Sequence, residues 1–475
     1  MNEKQNNRYV ELFKNTGLLA IGNFSSKILV FLLVPLYTNV LSTSEYGLYD
    51  LFITTVQLLI PFFTLNVTDG VLRFTLENKE NINQVFRVAL KFSILGILPA
   101  ALILFMNNLG GFSVDLTTYG MYVLAYYICY MFNQFFIQFS KGIDRVSMMT
   151  ISGVIGTLVT VIGCIIALLV MKLGLKGFFY ANILGQLVPC IYLWFALKLW
   201  RYIGKPDKDI FDKTLQKRLL TYSIPLIMTT VGWWLNNTSD RYVITAIKGV
   251  EINGLLSVAY KIPSILTILY GIFIQAWQIS AMKEYGKDDS KAFYNQVYVI
   301  LNLFVYVAAS GLIIITRPLA HIAFAKEFYN AWTFVPYLML SAVFTSAAGY
   351  VAPILTSAYK TWAVAKSTLV GGLINIVLNV ALLYSIGNLG VAVATAISSF
   401  IILYMRYKST DGMITNESFK KGCFLWLLLI AQATLEVFKF EFLQIPIIIV
   451  AMIVNRKEIK TIIDRISNII RRRNK

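Results

Sequence analysis

Long apolar runs alternate with short polar punctuation along almost the whole chain. Setting the runs against their charged and Gly/Pro/Asn interruptions predicts helices over 16–40, 46–68, 86–106, 116–139, 147–171, 178–199, 220–246, 254–279, 293–316, 332–358, 364–386, 390–407, 422–438 and 440–455. Most reach the roughly 20 residues that an α-helix needs to cross a hydrocarbon layer of about 30 Å. The last two are the thinnest, with the charged turn Glu436, Lys439 and Glu441 pressed between them.

Two polar stretches show helical spacing of their own. Ile210, Phe211, Thr214, Leu215 and Leu219 follow Pro206, and Ile459, Ile462, Ile463, Ile466, Ile469 and Ile470 line one face of the end of the chain, among Lys460, Arg465 and Arg471 to Arg473. Both read as amphipathic helices on a surface of anionic lipid, with docking to a partner as the alternative. The expected organisation is an N-terminal six-helix lobe over 1–200, an amphipathic cytoplasmic linker over 201–219, a C-terminal six-helix lobe over 220–408, two additional helices over 409–455 and a basic amphipathic tail over 456–475. A faint internal echo supports a parallel repeat: Leu41 to Tyr49 precedes the second span, Val250 to Ser257 the eighth, with Gly47 and Gly254 at matching places.

Composition turns this pattern into a class. Of 475 residues, 57% are hydrophobic and 14% charged, whereas a soluble domain carries about 25% charged residues. The fold class is therefore an all-α integral membrane protein of about 14 transmembrane helices in two pseudo-symmetric six-helix lobes plus two C-terminal helices. Soluble enzymes, nucleic-acid-binding domains and disordered tails are excluded. Cys129, Cys164, Cys190 and Cys423 each sit alone in an apolar run, and His321 is the single histidine. These residues offer neither a zinc site, a disulfide framework nor a Ser-His-Asp system, and no cofactor or metal site is expected. Met1 to Asn15 is polar and the apolar stretch after it is long, so a cleavable signal is not expected either.

The formal net charge of +18 is mostly orientation. With the N-terminus placed in the cytoplasm, 33 of the 42 Lys and Arg fall in cytoplasmic segments, six in outer loops and three inside spans. That is the positive-inside pattern, and it places the protein in the cell membrane as a multi-pass chain with both termini cytoplasmic. No nucleic-acid partner is implied. The longest outer loop, Arg317 to Ala331, is too short for an extramembrane domain.

The three exceptions are Lys27, Arg241 and Lys261. A charge in hydrocarbon is costly, and its cost falls if it faces a water-filled cavity or an internal counter-charge. Asp69 and Arg73 are four apart and share a helix face, which suits either a helix-end salt-bridge cluster or a gate. Asp240 either neutralises a neighbour or holds a coupling cation. Cations with few lone acids fit an anionic ligand, because guanidinium and ammonium groups bind phosphate oxygens. Aromatic and amide residues in the same spans, including Tyr37, Trp234, Asn237, Tyr260 and Trp277, suit either sugar binding or ordinary packing. Gly153, Gly156, Gly163, Gly371 and Gly372 suit close helix approach.

At particular places the chain resembles a known family. Gly22 to Lys27, Val34 to Thr38 and Glu45 to Tyr49 resemble the opening of the polysaccharide (Wzx-type) flippases of the multidrug/oligosaccharidyl-lipid/polysaccharide (MOP) exporter superfamily. Asp69 to Phe74 looks like the end of that family's second helix, and Asn237 to Ile244 with Gly254 to Ile262 like its seventh and eighth. Leu256 stands where the family usually has tyrosine. The resemblance implies two six-helix lobes, alternating access and export of an undecaprenyl-diphosphate-linked oligosaccharide for surface polysaccharide, alongside polysaccharide assembly proteins. It points to Lys27, Arg73, Arg241 and Lys261 as diphosphate- and glycan-binding positions, with Asp69 and Asp240 as coupling or counter-charge groups. Coupling to Na+, to H+ or to membrane potential stays open. No enzymatic step is expected. A drug or lipid exporter of the same superfamily is the nearest alternative, and a multi-spanning polymerase or glycosyltransferase a more distant one.

Overall fold

The computed structural model describes residues 31–77, 82–111, 113–204 and 213–456. Lys27, most of the first expected span, the middle of the linker and the basic tail beyond Arg456 lie outside the described residues. Among the described residues every regular element is helical.

Contacts gather the chain into two compact units, Met1–Trp234 and Leu235–Lys475. The first contains α1 (Val34–Val40), α2 (Thr43–Phe63), α3 (Val67–Glu77), α4 (Ile82–Leu95), α5 (Ile97–Gly110), α6 (Val114–Gly142), α7 (Val146–Cys164), α8 (Gly174–Ala196), α9 (Trp200–Ile203) and the start of α10 (Lys213–Lys248). The second contains the rest of α10, α11 (Val250–Ala259), α12 (Lys261–Glu284), α13 (Ser290–Ile314), α14 (Thr316–Ala323), α15 (Val335–Ser357), α16 (Thr361–Ser385), α17 (Leu389–Lys408), α18 (Asn416–Val437) and α19 (Gln444–Val454). Every expected span after the first finds a helix at its place. Among the described residues, nine helical stretches are long and apolar enough to cross a membrane. The long helices α6, α10 and α18 are not in that set, because each carries polar residues such as Asn133 and Gln138, Asn236 to Arg241, or Gln432 and Glu436.

Lipid-facing sides are visible in the side chains. On α5, Leu98, Leu102, Phe105 and Leu109 are exposed at spacings of four, three and four, one continuous stripe. The buried side of the first unit is aromatic: Phe86, Phe135, Phe136 and Phe139 pack with Val71 and Leu193. Lipid tails are as apolar as leucine, so packing rather than escape from water holds such helices together. Small residues allow the closest contacts. A Cβ added to Gly156 on α7 would lie 2.8 Å from the Gly185 carbonyl on α8, whereas one added to Gly153 would meet open space. In the second unit a Cβ at Gly390 on α17 would lie 2.3 Å from the Leu382 carbonyl on α16. Backbone cannot yield as a side chain does, so Gly390→Ala should destabilise the folded protein by about 1–3 kcal/mol, measured by thermal unfolding in detergent. An unchanged transition would mean that α16 and α17 separate freely.

Two expected helices are broken. The 46–68 span ends at Phe63, and Leu65 and Asn66 adopt φ of 53° and 52° before α3 begins. Pro61 lies in the last turn of α2, its carbonyl accepts from Asn66 N–H at 2.8 Å, and asparagine tolerates the left-handed region better than most residues. The 254–279 span breaks at Tyr260. There Pro263 has no N–H to offer the Ala259 carbonyl, and its ring crowds that oxygen. The segment after α13, expected to be an outer loop, is more ordered than a loop: α14 and a 3-10 turn over Lys326–Phe334 bury Phe328, Ala331 and Trp332.

Candidate functional site: charged and amide groups inside the spans

The break at Tyr260 and the polar end of α10 create one connected cluster in the second unit. Asp240 is 2% exposed. Its Oδ1 accepts from the Arg241 backbone N–H at 2.9 Å and lies 3.7 Å from Arg241 Nη1, while its Oδ2 accepts from the Tyr260 hydroxyl. Arg241 turns back along its own helix to donate from Nη1 to the Asn237 carbonyl at 3.0 Å, and its guanidinium lies 5.0 Å from the centre of the Tyr260 ring. Tyr260 thus serves Asp240 through its hydroxyl and Arg241 through its ring. This is possible because Tyr260 stands at the break, twenty residues after Asp240.

Amides extend the cluster. Ser239 Oγ donates to Asn375 Oδ1 at 3.2 Å, and Asn379 Nδ2 donates to the same oxygen at 2.9 Å. Asn375 Nδ2 donates to Ser398 Oγ at 3.1 Å and to Thr395 Oγ1 at 3.4 Å, and the Thr395 hydroxyl also lies within reach of the Tyr260 oxygen. Ser239, Asn375, Asn379 and Ser398 are all buried, and Asn379 Oδ1 is a buried acceptor with no hydrogen bond. A polar network of this size inside a membrane-spanning unit is retained at a cost, since each member must find partners.

Lys261 begins α12, directly after the break. It is half-buried, and among the described residues its ammonium has neither an ion pair nor a hydrogen bond. In the first unit, Asp69 sits in the first turn of α3, where a carboxylate is favoured by the helix dipole, and accepts from Asn66 Nδ2 at 3.0 Å. Arg73, one turn on, is exposed, with its guanidinium 4.5 Å from the centre of the Tyr222 ring. Two candidate aromatics are core residues: Tyr37 stacks on Tyr46 at 4.7 Å, and Trp277 stacks on Tyr350 at 4.3 Å while its Nε1 donates to the Tyr350 carbonyl.

The structure therefore joins Asp240 and Arg241 and puts Lys261 next in sequence to their shared partner, Tyr260. Asn375, Asn379 and Thr395 escaped the sequence reading. They are neutral residues in ordinary apolar helices, and the only available sign was an Asn pair four apart on α16. Arg406, which the charge count places at a cytoplasmic helix end, donates to Ser367 Oγ, Thr368 Oγ1 and the Ala348 carbonyl, all between 2.9 and 3.1 Å.

Comparison with known proteins agrees with this architecture. The chain is 22% identical over 416 residues to the probable low-salt glycan biosynthesis flippase Agl15 of Haloferax volcanii, covering 84% of each protein. Its fold matches the lipid II flippase MurJ in an inward closed conformation with a TM-score of 0.70 at 16% identity, over 93% of this chain and 99% of that one. It also matches an inward-facing multidrug resistance MATE family transporter of the MOP superfamily, with a TM-score of 0.66 at 13% identity, over 83% of this chain and 98% of that one. A model of the polysaccharide biosynthesis protein family matches residues 12–278, more than half of the length, and the chain therefore belongs to that family, with the fold of the MOP-superfamily transporters.

Proposed function

We propose that the protein is a flippase that moves an undecaprenyl-diphosphate-linked oligosaccharide across the cytoplasmic membrane by alternating access, for the assembly of a surface polysaccharide. The observation that carries this reading is a half-buried lysine, Lys261, with no protein counter-charge among the described residues, next in sequence to the aromatic partner of a buried arginine. A lipid-linked sugar combines a diphosphate that hydrocarbon rejects, a glycan that needs hydration and a tail that stays in lipid. Lys261 and Arg241 supply cationic donors for the first, and the surrounding amides and phenols supply hydrogen bonds for the second. Lys27, by its place in the sequence, and Arg73 belong to the same proposal, which also keeps both termini in the cytoplasm. The related flippase of Haloferax volcanii supports it.

Coupling is assigned to Asp240, in addition to its contact with Arg241. With Asn375, Asn379 and Thr395 it offers the oxygen donors that a hard cation such as Na+ takes, and the partnerless Asn379 Oδ1 fits that use. Such an ion would supply positive charge beside a carboxylate and bias the unit between conformations.

The test is translocation of a fluorescent polyprenyl-diphosphate oligosaccharide in proteoliposomes. Lys261→Ala should lower the rate at least about tenfold, the weight of one charge-assisted hydrogen bond, and leave the unfolding temperature unchanged because no ion pair is broken. A wild-type rate in that variant would remove Lys261 from the site. Failure of the wild-type protein to move the lipid would overturn the functional reading itself.

A further inference from the structure

One arginine inside the second unit carries its charge without an acid beside it. Arg406 stands in the last turn of α17, where a membrane helix ordinarily sends an arginine head out toward headgroups and water. This head turns into the packing instead. Its Nε donates to Ser367 Oγ at 3.1 Å, Nη2 to Thr368 Oγ1 at 2.9 Å and Nη1 to the Ala348 carbonyl at 2.9 Å. Ser367 and Thr368 both donate their own hydroxyl hydrogens to the Val364 carbonyl, at 2.8 and 3.0 Å, so their lone pairs are left to face the guanidinium. They lie in the second turn of α16, roughly 10 Å along its axis from the start. All three acceptors are neutral, and among the described residues Arg406 makes no ion pair. Asp411, the acid nearest to it in sequence, is taken by Lys360.

Three of the five N–H groups of the guanidinium are used in this way, which leaves one on each terminal nitrogen. Another unused donor stands nearby. The Tyr270 hydroxyl of α12 is buried without a hydrogen bond and lies within electrostatic reach of Arg406. It rests against Gly349, the residue after Ala348. A Cβ added there would run into the phenol oxygen, so glycine is what lets ring and guanidinium converge on one turn of α15. Next to Tyr270 a Cβ added to Gly271 would meet open space, and Arg406 is itself partly exposed. A buried donor without a partner and a cation without a counter-charge are both costly, and one oxyanion answers both. We infer that Arg406 and Tyr270 form a binding site for the terminal phosphate of a lipid. A terminal phosphate offers three outer oxygens to the three unused donors, whereas the phosphodiester of a bulk phospholipid offers two. Lipid is the source because the site is built among membrane-spanning helices, which the bilayer reaches directly. The site goes beyond the flippase reading, since it takes such a lipid whether or not the lipid is carried across.

The experiment uses the full chain in uncharged maltoside micelles and measures binding of radiolabelled polyprenyl phosphate. Tyr270→Phe removes an oxygen that bonds nothing in the protein, so the ligand-free unfolding temperature should not fall, while the lipid phosphate binds at least about fivefold more weakly. Arg406→Lys keeps the charge but loses the fork, and should weaken binding at least about tenfold. Both losses should appear again when Lys261→Ala is the parent, because the two sites share no residue. Unchanged binding in either variant overturns the site and leaves Arg406 as a clamp of α15, α16 and α17. Equal displacement of the bound lipid by phosphatidylglycerol overturns the preference for a terminal phosphate, and equal displacement by inorganic phosphate overturns lipid as the source. If the lipid phosphate binds through Arg406 and Tyr270 yet the wild-type protein translocates nothing, the flippase reading fails and this site stands.

Discussion

Asp240→Ala is expected to unfold at least about 3 kcal/mol more easily than the wild type and to lose translocation altogether. The carboxylate is 2% exposed and receives the Arg241 backbone N–H and the Tyr260 hydroxyl. Its removal leaves the partly buried Arg241 guanidinium without the carboxylate 3.7 Å away, and breaking one side of a buried pair costs about 3–5 kcal/mol. Asp240→Asn separates structure from coupling. The amide keeps an acceptor for the Arg241 N–H, so the fold should survive with a smaller loss, whereas the negative charge that a cation needs is gone. Denaturant unfolding of both variants, with translocation measured under a Na+ gradient and then a pH gradient, provides the check. A stable, fully active Asp240→Ala would show that this carboxylate neither neutralises Arg241 nor couples transport.

The second large effect is expected at another buried carboxylate. Glu436, at the end of α18, is 1% exposed, and its Oε1 lies 3.1 Å from Arg317 Nε of α14. Arg317 also donates to the Glu436 carbonyl and lies over the Trp332 ring at 4.4 Å, while the Gln444 side chain donates to the other Glu436 carboxylate oxygen. From Gln444 the chain of bonds runs on through Gln432 to Ser310 of α13, at 3.1 and 2.7 Å. Glu436→Ala therefore takes the carboxylate away from the mostly buried Arg317 guanidinium and removes the acceptor of the Gln444 amide, and should cost about 3–5 kcal/mol in unfolding experiments. Glu436→Gln restores the hydrogen bonds without the charge and should recover part of that loss. If neither variant shifts the transition, the pair is not holding α18 and α19 to the second unit.

How much of this was legible in the sequence follows from the range of the interactions. The spans were legible because each is a local run of apolar residues whose length is set by the membrane. The capping box at the start of α2, in which Ser42 and Glu45 exchange hydrogen bonds, lies within the echo segment that preceded the second span. The two breaks were less so. Pro61 and Pro263 are present in the sequence, but proline is common enough in membrane helices that it does not by itself announce a stop. Long-range pairing was hidden altogether. Glu436 reads as one charge in a polar turn, and its partner stands 119 residues earlier, in a segment that reads as a loop. Lys261 and Arg241 stood out because charge in an apolar run needs no partner to be noticed. Asn375 and Asn379 did not, since an amide becomes informative only once its neighbours are known.

The Arg317–Glu436 contact also constrains how this architecture can be shortened. A version ending after α17 would take away the Glu436 carboxylate that Arg317 faces, so the arginine and the final pair of helices should be gained or lost together among kindred sequences. Kin that lack these two helices would then carry a neutral residue at the position of Arg317, and a truncation engineered after Lys408 should be rescued in part by Arg317→Met.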